Sequence, residues 1–124
     1  MCIRDRLTQL RRGGAVGILI DQRVSPDVGV EVPFFGQPTW THPVLARFAR
    51  RTLAPVVPTF AVWEEPGRYS LWLGPVIDVE ALPPDEREDQ PLTALFSRVT
   101  EAAIRRRPEQ WLWFHDRWRH LRSP

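Results

Sequence analysis

Three chemically different side chains follow one another at the end of an apolar run. Asp21, Gln22 and Arg23 supply a carboxylate, an amide and a guanidinium directly after residues 16–20. The run has no polar alternation, so it predicts a strand buried on both faces, as in a parallel sheet. Open α/β sheets bind their ligands at the carboxyl ends of such strands. Residues 21–23 are therefore a candidate binding site, and the competing interpretation is a plain turn at a strand end.

Two phenylalanines stand beside a glycine in the loop that follows. Phe34, Phe35 and Gly36 lie at the tip of a segment interrupted by prolines and glycines. A polar strand end next to an apolar loop predicts a site for a ligand with a charged head and an apolar tail. Two interpretations of the rings stay open with equal weight: core packing beneath the loop, or contact with an acyl chain or a membrane.

Composition narrows the classes of protein. The single cysteine, Cys2, excludes an internal disulfide and a multi-cysteine zinc site, and we predict neither a metal nor a cofactor. No apolar run reaches the roughly 18 residues of a membrane span, although a peripheral membrane contact stays open. All 17 basic residues are arginine, for a net charge of +2. Their excess after residue 97 fits phosphates of a lipid or a nucleic acid, or simply a solvated helix face.

Helices and strands alternate in the pattern that surrounds these residues. Apolar spacing predicts a helix over residues 3–12, ended by a Gly-Gly pair, and a short edge strand over residues 30–34. Thr41 fits the N-cap of a second helix that runs to about residue 52. Residues 56–63 form a second apolar strand, so strand, helix and strand predict a right-handed parallel crossover.

The second half of the chain predicts a hairpin and two further helices. Residues 69–73 alternate as an antiparallel partner of the preceding strand, and a helix begins at Pro91 and ends at Pro108. A last helix would carry four side chains on one face: Trp111, Phe114, His115 and Trp118. The fold class is therefore predicted to be α/β, a partial mixed sheet flanked by helices, in one partial domain over residues 1–124. Whether residues 1–6 are native stays open.

Two blocks of sequence carry a family resemblance. The first is Gly17-Ile18-Leu19-Ile20-Asp21-Gln22, followed by Val32-Pro33-Phe34-Phe35-Gly36 and Thr41. The second is Pro108-Glu109-Gln110-Trp111, followed by Trp113-Phe114-His115 and Arg117-Trp118. Together they resemble the lipid A biosynthesis acyltransferases, the late lauroyl and myristoyl transferases of Gram-negative bacteria. The similarity runs from Leu7 to about Arg119, and the second block is the more specific.

The resemblance implies a fold of the glycerolipid-acyltransferase type. It also implies transfer of a fatty acyl chain from acyl carrier protein to a hydroxyl of an acylated, phosphorylated glucosamine disaccharide, at the cytoplasmic face of the cell inner membrane. The family's His-x4-Asp or His-x4-Glu motif is absent, because Arg47 stands at that spacing from His42 and His120 from His115. The chain therefore resembles the carboxyl-terminal part of such an enzyme, and we expect that part to be inactive by itself.

Site residues follow from the resemblance one by one. Asp21 and Gln22 would line the acceptor side of the cleft, while Arg23 departs from the small or polar residue expected there. The loop would add Phe34, Phe35, Gly36 and Thr41. Glu109, Trp111, His115 and Arg117 would support the site, with Glu109 and Arg117 as a buried structural pair. Core packing is the better interpretation of Trp111, Trp113 and Trp118.

Two alternatives stay open. The acceptor could be a phosphatidylinositol mannoside, although the second block favours lipid A. The chain could also be a non-catalytic arginine and aromatic module that binds anionic lipid or nucleic acid. The aromatics lie on a predicted helix rather than along strands, and this counts against nucleic acid. The expected partners are therefore acyl carrier protein, a glycolipid acceptor and a membrane surface, with no nucleic acid.

Overall fold

The computed structural model describes residues 3–121, so Cys2 lies outside the described residues. In chain order the elements are α1 (Ile3–Arg11), β1 (Val30–Phe34), β2 (Gln37–Thr41), α2 (Val44–Thr52), β3 (Thr59–Glu65), β4 (Arg68–Leu73) and α3 (Asp89–Arg106). Short 3-10 turns cover Val79–Ala81, Pro84–Arg87, Pro108–Gln110 and Arg119–Leu121. The mixed α/β class predicted from the sequence is confirmed, and so are the three main helices.

Both sheets within residues 3–121 are antiparallel hairpins of two strands, β1 with β2 and β3 with β4. The predicted parallel crossover is therefore wrong. The pairing of β4 with β3 is confirmed, and its register shifts between Trp63 and Glu65. An antiparallel bridge between Val56 and Ile77 joins the segment before β3 to the segment after β4.

Residues 16–20 form no helix and pair with no strand in the described part of the chain. Leu19 is 90% exposed, whereas Ile18 and Ile20 are half-buried. The prediction of a strand buried on both faces is therefore wrong. An apolar run reports a tendency to be buried, but pairing also requires a neighbouring strand with free backbone groups.

The core lies between α2 and α3. Ala46 and Ala49 of α2 pack with Leu92 and Phe96 of α3 and with Val79 of the intervening turn. Ion pairs on the surface join α2 to the start of α3: Arg47 pairs with Asp89 at 2.7 Å, and Arg50 pairs with Glu88 at 2.7 Å and with Asp89 at 3.2 Å. Helix α3 also packs along β1, so it is the support on which the β1–β2 hairpin rests.

Thr41 is the last residue of β2 and not a helix cap. Helix α2 begins at Val44 after Pro43, and the Val44 N–H donates to Nδ1 of His42 at 3.1 Å. The sequence pattern suggested Thr41 because a threonine before a proline and an apolar run is typical of an N-cap. The β2 strand instead continues to Thr41 and turns its hydroxyl into the interior.

The predicted last helix is absent from the described residues. After the turn at Pro108–Gln110, the backbone makes short-range bonds such as Trp113 N–H to Trp111 O at 2.9 Å and Arg117 N–H to His115 O at 2.9 Å. The four side chains predicted to share one helix face are split, because Phe114 is 97% exposed whereas Trp111, His115 and Trp118 are half-buried. Long-range contacts of this segment outweigh its helical spacing.

Candidate functional site

Three distant segments of the chain meet at the candidate site: residues 21–23, the β1–β2 hairpin and residues 111–118. The Asp21 carboxylate accepts a hydrogen bond from Nε1 of Trp111 at 3.3 Å. Two residues later the Arg23 N–H donates to Nε2 of His115 at 2.8 Å. These bonds join the two sequence blocks that carry the family resemblance. Nε2 is thus the acceptor nitrogen of the His115 ring in this bond.

Arg117 connects the second block to the hairpin. Its side chain is 1% exposed, and Nη2 donates to Oγ1 of Thr41 at 2.8 Å. The guanidinium carbon lies 4.7 Å from the ring centroid of Phe34, a cation–π distance. In the reverse direction, Oγ1 of Thr39 donates to the Arg117 carbonyl oxygen at 2.6 Å. Thr39 and Thr41 face the same side of β2, so the hydroxyls of two alternate residues on one strand both hydrogen-bond to Arg117.

Burial of Arg117 is electrostatically costly and only partly compensated. Loss of solvation lowers the pKa of its guanidinium to about 10, and the negative charge of Asp21 opposes that decrease. At neutral pH the group therefore stays charged. Its Nε and Nη1 groups have no acceptor among the described residues. A buried cation beside a carboxylate, with hydrogen-bonding capacity left over, is a feature that functional sites share more often than plain cores do.

Aromatic rings surround this cation. Phe34 is completely buried, with ring centroids of Trp111 at 5.5 Å and Trp118 at 5.8 Å from its own. Nε1 of Trp118 donates to the Phe34 carbonyl oxygen at 3.3 Å. Phe34 therefore packs in the interior, as the core-packing interpretation expects, and so does most of Trp111 and Trp118.

Phe35 and Gly36 form the two-residue turn of the hairpin, because Phe34 pairs with Gln37. Their φ angles are +50° and +74°, the left-handed pair of a type I′ turn, in which a phenylalanine is an unusual occupant. The Phe35 N–H donates to Oε1 of Glu101 on α3 at 2.8 Å. One helical turn later, the Arg105 guanidinium lies 4.8 Å from the Phe35 ring centroid. The sequence indicates these two residues only by their i, i+4 spacing on one helix.

The remaining predicted residues lie outside the buried cluster. Gln22 and Gly36 are exposed. Glu109 is exposed as well and pairs with Arg107 at 3.5 Å, so the predicted buried pair between Glu109 and Arg117 is wrong. The reason is that the chain turns after Pro108 and carries Arg117 inward to the β2 hydroxyls, away from Glu109.

A cavity of about 1200 Å³ opens beside the cluster. Its wall is mostly apolar and comes from residues 14–20, α2, β3 and α3, including Ile18, Leu45, Phe60 and Phe96. Asp21 and Trp111 also line it, so the carboxylate lies at the border between the cavity and the buried arginine. Pockets for drug-sized ligands span roughly 300–1000 Å³, so this space is large enough for extended aliphatic chains.

Gln110 fixes one wall of the cavity and was not predicted. Its Nε2 donates to the Trp63 carbonyl oxygen at 2.8 Å, and its Oε1 accepts from the Trp63 N–H at 2.8 Å. The side-chain amide of Gln110 thus makes the same pair of hydrogen bonds to Trp63 that the backbone of a neighbouring strand would make. Arg107 reinforces the contact through an ion pair with Glu64 at 3.0 Å.

Within residues 3–121, no three His, Cys, Asp or Glu side chains come close enough to hold a metal ion. None of the helices in this range is long and apolar enough to cross a bilayer.

Comparison with known proteins gives one family. The model of the bacterial lipid A biosynthesis acyltransferases matches residues 2–120. A comparison with curated proteins gave no match. The matched range contains every residue of the site described above.

Proposed function

This chain belongs to the bacterial lipid A biosynthesis acyltransferase family, and we propose that it forms the acceptor side of a cleft for acyl transfer. In this proposal a fatty acyl chain passes from acyl carrier protein to a hydroxyl of an acylated, phosphorylated glucosamine disaccharide. The place of the reaction is the cytoplasmic face of the inner membrane, where the lipid acceptor is accessible.

The observation that carries the proposal is the position of Asp21. Its carboxylate borders an apolar cavity of about 1200 Å³ and is held by Trp111 at 3.3 Å. A polar group at the border of an apolar cavity matches a lipid acceptor, because its sugar hydroxyls need polar partners and its acyl chains need apolar surface. Asp21 can accept a hydrogen bond from a sugar hydroxyl while the chains lie along α2, β3 and α3.

The chemistry proposed for these residues is binding and orientation. A hydroxyl of the disaccharide attacks the thioester carbonyl, and the carrier's thiol departs. A general base must take the hydroxyl proton, and donors must stabilise the oxyanion. No residue of this sequence has the His-x4-Asp or His-x4-Glu spacing of the family's base. We therefore assign Asp21 to orienting the acceptor hydroxyl and not to removing its proton.

Arg23 is the proposed contact for the acceptor's phosphate. Arg23 is half-buried two residues after Asp21, and its Nε has no acceptor among the described residues. Guanidinium groups bind phosphate through two parallel hydrogen bonds. An arginine at position 23, where the family resemblance leads us to expect a small or polar residue, would then help to recognise the charged head group.

The test is a binding measurement with the 124-residue chain. A fluorescent fatty acid is bound first, and a phosphorylated, acylated glucosamine disaccharide then displaces it. We expect Asp21→Asn to weaken the disaccharide about tenfold, the loss of one hydrogen bond to a charged group, with little change for the fatty acid. Asp27→Asn is the matched control, since Asp27 is an exposed carboxylate in the same loop. Equal affinities of wild type and Asp21→Asn would contradict the assigned role.

A further inference from the structure

Three consecutive apolar side chains project into solvent beside the candidate site. Leu112 is 57% exposed, Trp113 49% and Phe114 97%. An almost fully exposed phenylalanine gains nothing from burial of its ring, and here it directly follows two other exposed apolar residues. Contiguous exposed apolar surface of this kind marks an interaction site more often than scattered single residues do.

The patch is continuous with the hairpin turn and is held by specific contacts. The Trp113 ring centroid lies 6.0 Å from that of Phe35 and 4.6 Å from that of Trp111. Nε1 of Trp113 donates to the Pro108 carbonyl oxygen at 2.5 Å. Phe35 is fixed in turn by the carboxylate of Glu101, as described above. The aromatic surface is thus presented on anchored backbone from two parts of the chain.

Positive charge accompanies these rings. Arg105 is exposed and lies over the Phe35 ring, and Arg119 is exposed after the patch, whereas the neighbouring Arg106 stacks on Trp72 of β4 at 4.0 Å. Guanidinium groups bind phosphates, and basic residues close to an anionic membrane surface strengthen binding to it. Tryptophan beside arginine is typical of the interface between lipid headgroups and acyl chains.

We propose that residues 112–114, with Phe35 and Arg105, dock on a bilayer surface that carries anionic headgroups. The inference rests on the proposed function, because it names the surface on which the enzyme would meet its lipid acceptor. We choose this patch rather than the other exposed apolar face of the molecule because the positive charge beside it complements anionic headgroups. That face, on β4, presents Tyr69 and Leu71, and the arginine nearest to it in sequence, Arg68, pairs with Glu65 at 3.5 Å.

The experiment measures co-sedimentation of the 124-residue chain with vesicles. Vesicles of phosphatidylglycerol mixed with phosphatidylcholine are compared with phosphatidylcholine alone, and both lack the glycolipid acceptor. We expect binding to the anionic vesicles that weakens as salt is added. Phe114→Ser should reduce it about tenfold, and Arg105→Gln about fivefold.

Tyr69→Ser is the matched control, because Tyr69 is 68% exposed on the opposite hairpin. It should leave vesicle binding unchanged. The docking surface is refuted if Phe114→Ser binds like the wild type, if Tyr69→Ser loses as much, if neutral vesicles bind equally well, or if a single-stranded RNA oligonucleotide binds more tightly than the vesicles. Since Phe114 is almost wholly in solvent, its substitution should leave the thermal midpoint unchanged.

Failure here and failure of the proposed function are separable. Asp21→Asn should keep full vesicle binding, because Asp21 bonds to the half-buried Trp111 rather than to an exposed residue of the patch, and the vesicles contain no acceptor. Intact vesicle binding with no binding of the disaccharide would count against the proposed function. The reverse result would count against the docking surface alone.

Discussion

The two hairpins of this molecule differ in how much of each is packed against the rest of the chain. The β1–β2 hairpin packs on α3 and on residues 111–118, and groups at its turn and along β2 have partners far away in sequence. The β3–β4 hairpin borders the cavity with one face and exposes the other, where Tyr69, Leu71 and Leu73 are each about two-thirds in solvent. We refer to these as the packed side and the open side.

The difference separates two requirements of a binding site. The packed side fixes the carboxylate, the buried arginine and the aromatic rings through contacts that each cross 76 or more residues of chain. The open side leaves space that apolar ligands can fill, at the expense of local stability. Asp21 lies where the two sides meet, so it combines a fixed position with access to the cavity.

The largest expected effect comes from Phe34→Ala on the packed side. The ring is completely buried against two tryptophans and a guanidinium, so the free energy of unfolding should fall by about 3–5 kcal/mol. Urea unfolding followed by tryptophan fluorescence measures it. Tyr69→Ala on the open side should cost less than about 0.5 kcal/mol. Comparable losses for the two variants would remove the distinction between the sides.

Filling the cavity should stabilise the open side. A fatty acid at about 100 times its Kd raises the free energy of unfolding by about 2.7 kcal/mol, provided that it binds only the folded chain. Amide hydrogen exchange should slow at residues 56–62, which line the cavity, and should change little at residues 30–41. Protection confined to the β1–β2 hairpin would show that the ligand binds elsewhere.

Glu101 tests the support of the hairpin turn. Glu101→Ala removes the charged acceptor of the Phe35 N–H, and we expect a loss of about 1–2 kcal/mol, since such bonds are worth more than neutral ones. Glu101→Gln keeps an acceptor oxygen and should lose less than half as much. The Phe35 amide should exchange faster in both variants. Equal losses for Ala and Gln would mean that the bond to Phe35 does not stabilise the turn.

The smallest effect compares two residues with the same unusual backbone. Leu53, which ends α2, has φ of +53°, close to the +50° of Phe35. Leu53→Gly should stabilise by about 0.5 kcal/mol, because left-handed backbone costs a side chain more than glycine's flexibility does. Phe35→Gly should destabilise, since its ring contacts Phe34, Trp113 and Arg105. Thermal midpoints of the two variants should therefore shift in opposite directions.

Local patterns predicted those elements whose stability is local. The apolar faces of α2 and α3 and the alternation of β4 indicated their structure, because a repeat of 3.6 or 2 residues records which side is buried. The same reasoning failed for residues 16–20 and 111–118. In the first, no partner strand is present in the described residues. In the second, the side chains of Trp111, Arg117 and Trp118 bind groups on β1, β2 and residue 21.

By itself the sequence determined the family and the mixed α/β class, and its two blocks contain six of the residues that come together: Asp21, Phe34, Thr41, Trp111, His115 and Arg117. Only the tertiary structure decided their pairing. It sends Arg117 to Thr41 and not to Glu109, it makes Glu101 the anchor of a left-handed Phe35, and it leaves Phe114 in solvent. The physical reason is that hydrogen bonds and burial across 66 to 92 residues of chain depend on where the backbone turns, and spacing along the sequence does not record this.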